Sequence, residues 1–208
     1  MASNDRHEGD DRTSDRRRTL YVGACRVDLV RRAGTARLLT DQRVAATAAR
    51  ALEAADAPAP ASITIVLTDD EELRDLNRTY LDRDEPTDVL SFPMLQPDAY
   101  PDHPGKAPPR RPPAPRPPAQ RAPGGTPATR RNERAHIGDV AISVERAIDQ
   151  AEAGRGGQTG DVRWSPADEV RLLVTHGTLH LCGWDHVDRA EEAAMRALEQ
   201  RLLAEGSP

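Results

Sequence analysis

Aromatic residues are scarce in this chain: phenylalanine, tyrosine and tryptophan make up 3% of its 208 residues. That is too few for an extended stacking platform of the kind that grips single strands. Cysteine is nearly absent too. Cys25 and Cys182 lie far apart and form no C-x-x-C pair, a usage that fits a reducing compartment. No apolar run approaches the roughly 20 residues that cross a bilayer, and residues 1–18 hold no apolar stretch of the secretory type. A soluble, cytoplasmic protein is the expectation. Positive charge is not in excess either. The net charge of −5 excludes a globally basic surface, so any affinity for phosphate must come from a local patch. The length suffices for one ordinary domain with a real core.

What is present reads as alternating strands and helices. Residues 1–18 are mixed in charge and almost devoid of apolar side chains, which predicts a disordered tail. Leu20–Val30 predicts a first strand, chiefly its later part from Arg26 to Val30. Asp41 opens an alanine-rich helix to about Ala54, with Val44, Ala48, Ala51 and Leu52 on one face, ended by Ala57-Pro58-Ala59-Pro60. Ile63–Leu67 is a buried strand. Asp69 with Glu72 starts a helix whose apolar positions Leu73, Leu76 and Tyr80 are expected to point inward. Thr87–Phe92 is a further strand, stopped by Pro93, and Ile137–Ser143 another, running into a helix from Val144 to about Ala153. Ser165-Pro166 starts a long helix to Cys182 that is apolar nearly all round, hence buried and central. Asp188, with Glu191 three residues on, caps a last helix burying Met195, Leu198 and Leu202. This order predicts a single α+β domain over residues 19–205, with a small mixed sheet of about four strands and a layer of helices.

Residues 95–135 differ in kind. They hold most of the prolines and many arginines, as in Pro108-Pro-Arg-Arg-Pro-Pro113. Such composition predicts an extended, disordered insertion within the domain rather than a boundary, because the short strands on either side need one another.

The richest stretch is His176-Gly-Thr-Leu-His180-Leu-Cys-Gly183-Trp-Asp185-His186, with three of the six histidines. His176 and His180 stand one helical turn apart and share a face. Gly183 is placed to end the helix in a left-handed residue, letting the chain bring His186 back to the same point. Three imidazoles make a metal site with one tetrahedral position open, as in catalytic rather than structural zinc. Zn²⁺ held by neutral ligands polarises a phosphoryl or carbonyl oxygen and acidifies a water, chemistry that fits hydrolysis. The spacing is shared with metzincin peptidases, but their glutamate base is Gly177 here, which argues against a peptidase. Asp185 is the candidate catalytic residue: a base, or a group orienting a histidine, or simply a cap on the turn after Gly183. Cys182, two residues past His180, points away from the metal. A non-catalytic assembly factor, with Asp185 closing the site as fourth ligand, is the other reading.

At these residues the chain resembles the bacterial endoribonuclease YbeY family, whose hallmark H-G-x-L-H-L-x-G-[YW]-D-H is matched throughout His176–His186. Two further blocks agree in order: Asp70-Glu-Glu-Leu-Arg-Asp-Leu-Asn77 leading to Pro86-Thr-Asp-Val-Leu-Ser-Phe-Pro93, and Gly138-Asp-Val-Ala-Ile-Ser143. The resemblance spans about 26–94 and 136–205. It implies an α+β fold, one Zn²⁺ per chain on His176, His180 and His186, and a single-strand-specific endoribonuclease. The implied partners are ribosomal RNA and the small ribosomal subunit, in 3′-end maturation of 16S rRNA and ribosome quality control. One position departs: many members carry an arginine after the aromatic of L-N-x-x-Y, and here Tyr80 is followed by Leu81, with Arg78 and Arg83 nearby but not matching. The segment from Lys106 to Arg134 has Glu133 as its sole acid and is a candidate electrostatic arm for RNA.

Overall fold

A computed structural model of the chain describes residues 14–103, 134–154, 164–186 and 188–205. Its sheet has five strands in the order β1-β2-β3-β5-β4: β1 Arg16–Val22, β2 Cys25–Arg31, β3 Ala61–Thr68, β4 Val89–Pro93 and β5 Ala135–Ser143. The central strands β2, β3 and β5 run parallel, and β1 and β4 close the two edges antiparallel. The helices are α1 Asp41–Ala54, α2 Asp70–Leu81, α3 Val144–Glu152, α4 Pro166–Leu181 and α5 Arg189–Glu205.

The α+β class, the mixed sheet and the helix order are as expected, and the strand count is corrected from about four to five. The additional strand is β1. Leu20–Val30 is a hairpin rather than one strand, with Gly23 at φ +55° in its turn. The end of the span expected to be tail, residues 1–18, is strand instead: Arg16, Arg17 and Arg18 pair with Arg31, Val30 and Leu29. Their polarity signals an edge, where charged side chains are the rule, rather than disorder. Residues 1–13 lie outside the described residues.

The chain's local chemistry builds the helices. Thr40 Oγ1 accepts from the Arg43 N–H at the start of α1, and Asp69 does the same for Glu72 at α2. Ser165 and Asp168 form a full capping box on α4, with Pro166 in its first turn, satisfying amides that a helix start leaves unbonded. Asp188 Oδ1 accepts from the Ala190 and Glu191 amides ahead of α5. Side chains alternate across the sheet. Val140 and Ile142 join the main core with Ile63, Ile65, Val44, Leu173, Leu179 and Met195, between the sheet and α1, α3, α4 and α5. Ala141 faces the other way, into a smaller cluster with Leu73 of α2 and Leu90 of β4.

Two expectations for this smaller face change. Tyr80, expected to be buried at i+7 from Leu73, is 64% exposed: its ring meets Phe92 of the edge strand edge-on and joins neither buried cluster. Pro93 does not stop β4 before it; it is the strand's last residue, opposite Gly138. An edge strand tolerates the missing N–H.

Both ends of the span expected as a disordered insertion, 95–135, are ordered instead. After a 3₁₀ turn at Pro97–Ala99, Tyr100 is 3% exposed and belongs to the main core. Ala135 already pairs with Ala61 in the sheet. Residues 104–133 lie outside the described residues.

Candidate metal centre

The last two turns of α4 carry His176 and His180. The helix ends as a Schellman motif: the Gly183 N–H donates to the His180 carbonyl at 3.1 Å and the Trp184 N–H to the Leu179 carbonyl at 3.1 Å. Gly183 takes φ +83°, the left-handed conformation expected of it, which costs a side-chain-bearing residue more than glycine. The reversal brings His186 over the helix end. One ring nitrogen from each of His176, His180 and His186 lies within 4.8 Å of the others. The spacing pattern therefore holds in three dimensions. His176 and His180 are half-buried and His186 is exposed, so the cluster opens to solvent on one side.

The donor chemistry fits a cation. Glu199 Oε1 on α5 lies 2.7 Å from His176 Nδ1. A carboxylate only accepts, so Nδ1 carries the proton and Nε2 presents its lone pair. That Nε2 is 3.0 Å from His180 Nε2, close to the roughly 3.3 Å between tetrahedral ligands each about 2.0–2.1 Å from zinc. Burial, reinforced by the neighbouring His176 and His186, lowers the His180 pKa to about 4, with Asp185 opposing. A neutral imidazole is the form that binds metal. Cys182 is buried and its thiol is pushed up to about 12, chiefly by desolvation; it stands outside the histidine group, as expected.

Asp185 is half-buried, and its Oδ1 accepts the His186 amide N–H at 2.8 Å. This bond fixes the turn that delivers His186. Among the described residues no carboxylate joins the three nitrogens as a further ligand. Gly177 faces the sheet: a Cβ there would stand 2.6 Å from Val140 Cγ1 and 3.0 Å from Val89 Cγ2. The position of the peptidase base is thus filled by close packing of α4 on β4 and β5, with no room for a glutamate.

The sequence motifs miss two supports. Glu199 is one; its signal is an acid within the apolar stripe Met195, Leu198, Leu202 of α5. The other is the segment after β4. His103 stacks on Trp184 at 4.0 Å between ring centroids and 8° between planes, and Pro97 lies against Gly183. Tyr100, the sole tyrosine, phenylalanine or tryptophan between residues 95 and 135, is the clue that this stretch is packed.

The chain matches the family described as "Endoribonuclease YbeY" over residues 33–207, a range that begins after β2. Among curated relatives of that name, one from Stutzerimonas stutzeri is 36% identical over 143 residues, covering 69% of this chain and 65% of that protein. One from Symbiobacterium thermophilum is 32% identical over 166 residues, covering 79% and 85%. One from Thermobifida fusca is 34% identical over 166 residues, covering 79% and 84%.

Proposed function

Because this chain belongs to the endoribonuclease YbeY family, we propose that it is a zinc-dependent endoribonuclease of single-stranded RNA. Its place is 3′-end maturation of 16S rRNA and ribosome quality control, with ribosomal RNA and the small ribosomal subunit as partners in the cytoplasm. The observation that carries this reading is the trio of converging imidazoles without a fourth protein ligand among the described residues. A three-ligand site keeps a position for substrate or water, as catalytic zinc sites do.

His176, His180 and His186 hold the ion. When bound, it supplies Lewis acidity toward a phosphoryl oxygen and lowers the pKa of a water toward about 7. The protein's own groups do the rest. Glu199 fixes the ring plane and tautomer of His176. Asp185 holds the turn of His186 and sits near enough to act on the charge of His180; that proximity supports assigning it the proton transfer of phosphodiester hydrolysis. The exposed flank at His186 is where a strand reaches the site.

The test is cleavage of a single-stranded oligoribonucleotide by the full-length protein, with zinc and after chelation, beside a His176→Ala, His180→Ala double variant. Metal-dependent cleavage that the double variant lacks is expected. Equal cleavage by both would reveal a contaminant. A wild type that holds one zinc per chain and cuts nothing overturns the enzymatic reading in favour of an assembly role.

A further inference from the structure

The three histidines are not held alike. His176 and His180 belong to α4, a helix buried at Thr175, Thr178, Leu179 and Leu181. His186 follows the end of that helix, exposed, on a stretch that is neither helix nor strand. The Schellman bonds carry the chain as far as Trp184. Asp185 secures the His186 amide, but it belongs to the same stretch.

A further hold on this turn comes from the segment after β4. Between Gln96 and His103 the chain forms a strap, folded by its 3₁₀ turn: the Ala99 and Tyr100 N–H groups donate to the Gln96 and Pro97 carbonyls at 2.9 and 3.3 Å. The strap meets three successive residues between the second and third histidines. Tyr100, 3% exposed, reaches Cys182: burial, and after it the nearby thiol, push its hydroxyl up. A Cβ on Gly183 would stand 3.8 Å from Pro97 Cβ. His103 stacks flat on Trp184, with 4.0 Å between ring centroids and 8° between planes. Trp184 is itself buried, and its indole N–H has no hydrogen-bond partner among the described residues. Ring packing rather than a hydrogen bond sets the place of that side chain.

From these contacts we propose that the strap positions His186 for the metal, with His103, through Trp184, as the positioning residue. The proposal rests on the metal-dependent reading above. A ligand carried on a loop must be ordered before it can bind, and a contact that orders it in advance raises affinity without touching the ion. Helix α4 already holds two ligands in place, and the strap gives order to the third. By reciprocity, an ion held by His186 steadies the strap in turn. A strap that served the core alone would need Tyr100, but neither the proline against Gly183 nor the ring on Trp184.

The experiment is zinc competition against a chelating indicator with the full-length protein. Wild type, His103→Ala, His103→Phe, His186→Ala and the His103→Ala, His186→Ala double variant are compared, each with its thermal melt. Beside it, amide hydrogen exchange of residues 96–103 is followed in the wild type with and without zinc. His103→Ala is expected to weaken zinc binding about tenfold, as partners of metal ligands do. His103→Phe, which keeps a flat ring, should retain the affinity. In the His186→Ala background the loss of His103 should cost nothing further, because the residue it positions is gone. Zinc should slow exchange at Ala99 and Tyr100 in the wild type. Unchanged zinc affinity in His103→Ala, with or without a lower melting temperature, makes the strap core packing only and overturns the proposal. An equal loss with and without His186 overturns it as well, and the metal centre stands in both cases. Should His103→Ala not fold, strap exchange that ignores zinc is the overturning result. A wild type that takes up no zinc removes the metal-dependent reading itself, and the proposal with it.

Discussion

Glu199 Oε1 accepts a 2.7 Å hydrogen bond from His176 Nδ1, and the opposite ring nitrogen points at His180. The two residues lie on different helices, and the bond sets which nitrogen of His176 is available for a metal. Partners of this kind typically govern metal affinity nearly as strongly as the ligands. Glu199→Gln should therefore weaken zinc binding roughly 10- to 100-fold in competition with a chelating indicator, with the fold intact by circular dichroism. Unchanged affinity would mean that the carboxylate only fills space.

Gly177 is expected to resist even a methyl group. Its Cβ would press on Val140, Val89 and Ser91, none of which is a flexible chain end. Gly177→Ala should cost about 1–3 kcal/mol in urea unfolding, as overpacked cores do, although alanine is the better helix former. A more stable variant would refute the close approach of α4 to the sheet.

Arg32 ties three distant pieces of chain together: it bonds Glu72 on α2 and Asp15 ahead of β1. The Arg32 guanidinium, helped by Thr68 and opposed by burial, holds the Glu72 carboxyl below its usual range. A carboxylate with a lowered folded pKa stabilises the fold above its unfolded value, about 4.3. That stabilisation is lost as pH falls through the folded value. Glu72→Gln should thus cost about 1 kcal/mol at pH 7, the partly exposed pair being screened. The difference should shrink on acidification below about pH 4. An equal gap at both pH values would mean that charge is not what the pair contributes.

The Pro/Arg-rich segment allows a two-part test. Excising residues 104–133 spares Tyr100 and His103 and should leave thermal stability nearly unchanged. It removes Lys106, Arg110, Arg111, Arg116, Arg121, Arg130 and Arg131, so RNA affinity should fall and depend less steeply on salt. Excising 95–134 takes Tyr100 from the core and should destabilise by about 3–5 kcal/mol. Salt dependence that is the same with and without 104–133 would end the case for an electrostatic arm.

Short-range features are legible in the sequence. His176, His180 and the turn at Gly183 depend on helical periodicity and one left-handed residue. The starts at Thr40–Asp41, Asp69, Ser165 and Asp188 depend on side chains reaching amides two or three residues away. Such interactions are carried by the sequence itself, because both partners lie within one turn. The hallmark motif likewise brings all three clustered histidines, since they come from a single eleven-residue stretch.

What tertiary structure alone decides involves partners far apart in the chain. Arg16–Arg18 form a strand because β2 offers an unpaired edge, and polar composition does not reveal a neighbour. Tyr80 fits the helical repeat of Leu73, yet lies exposed at the sheet edge, where only Phe92 of β4 meets its ring. Tyr100 and His103 read as part of a polyproline-rich run until Trp184 and the core give them something to pack on. Glu199 is one acid among many on α5 until α4 brings His176 within hydrogen-bond reach. In each case the local pattern is readable, but burial depends on where other elements begin and end, and that is set by the packing of the whole chain.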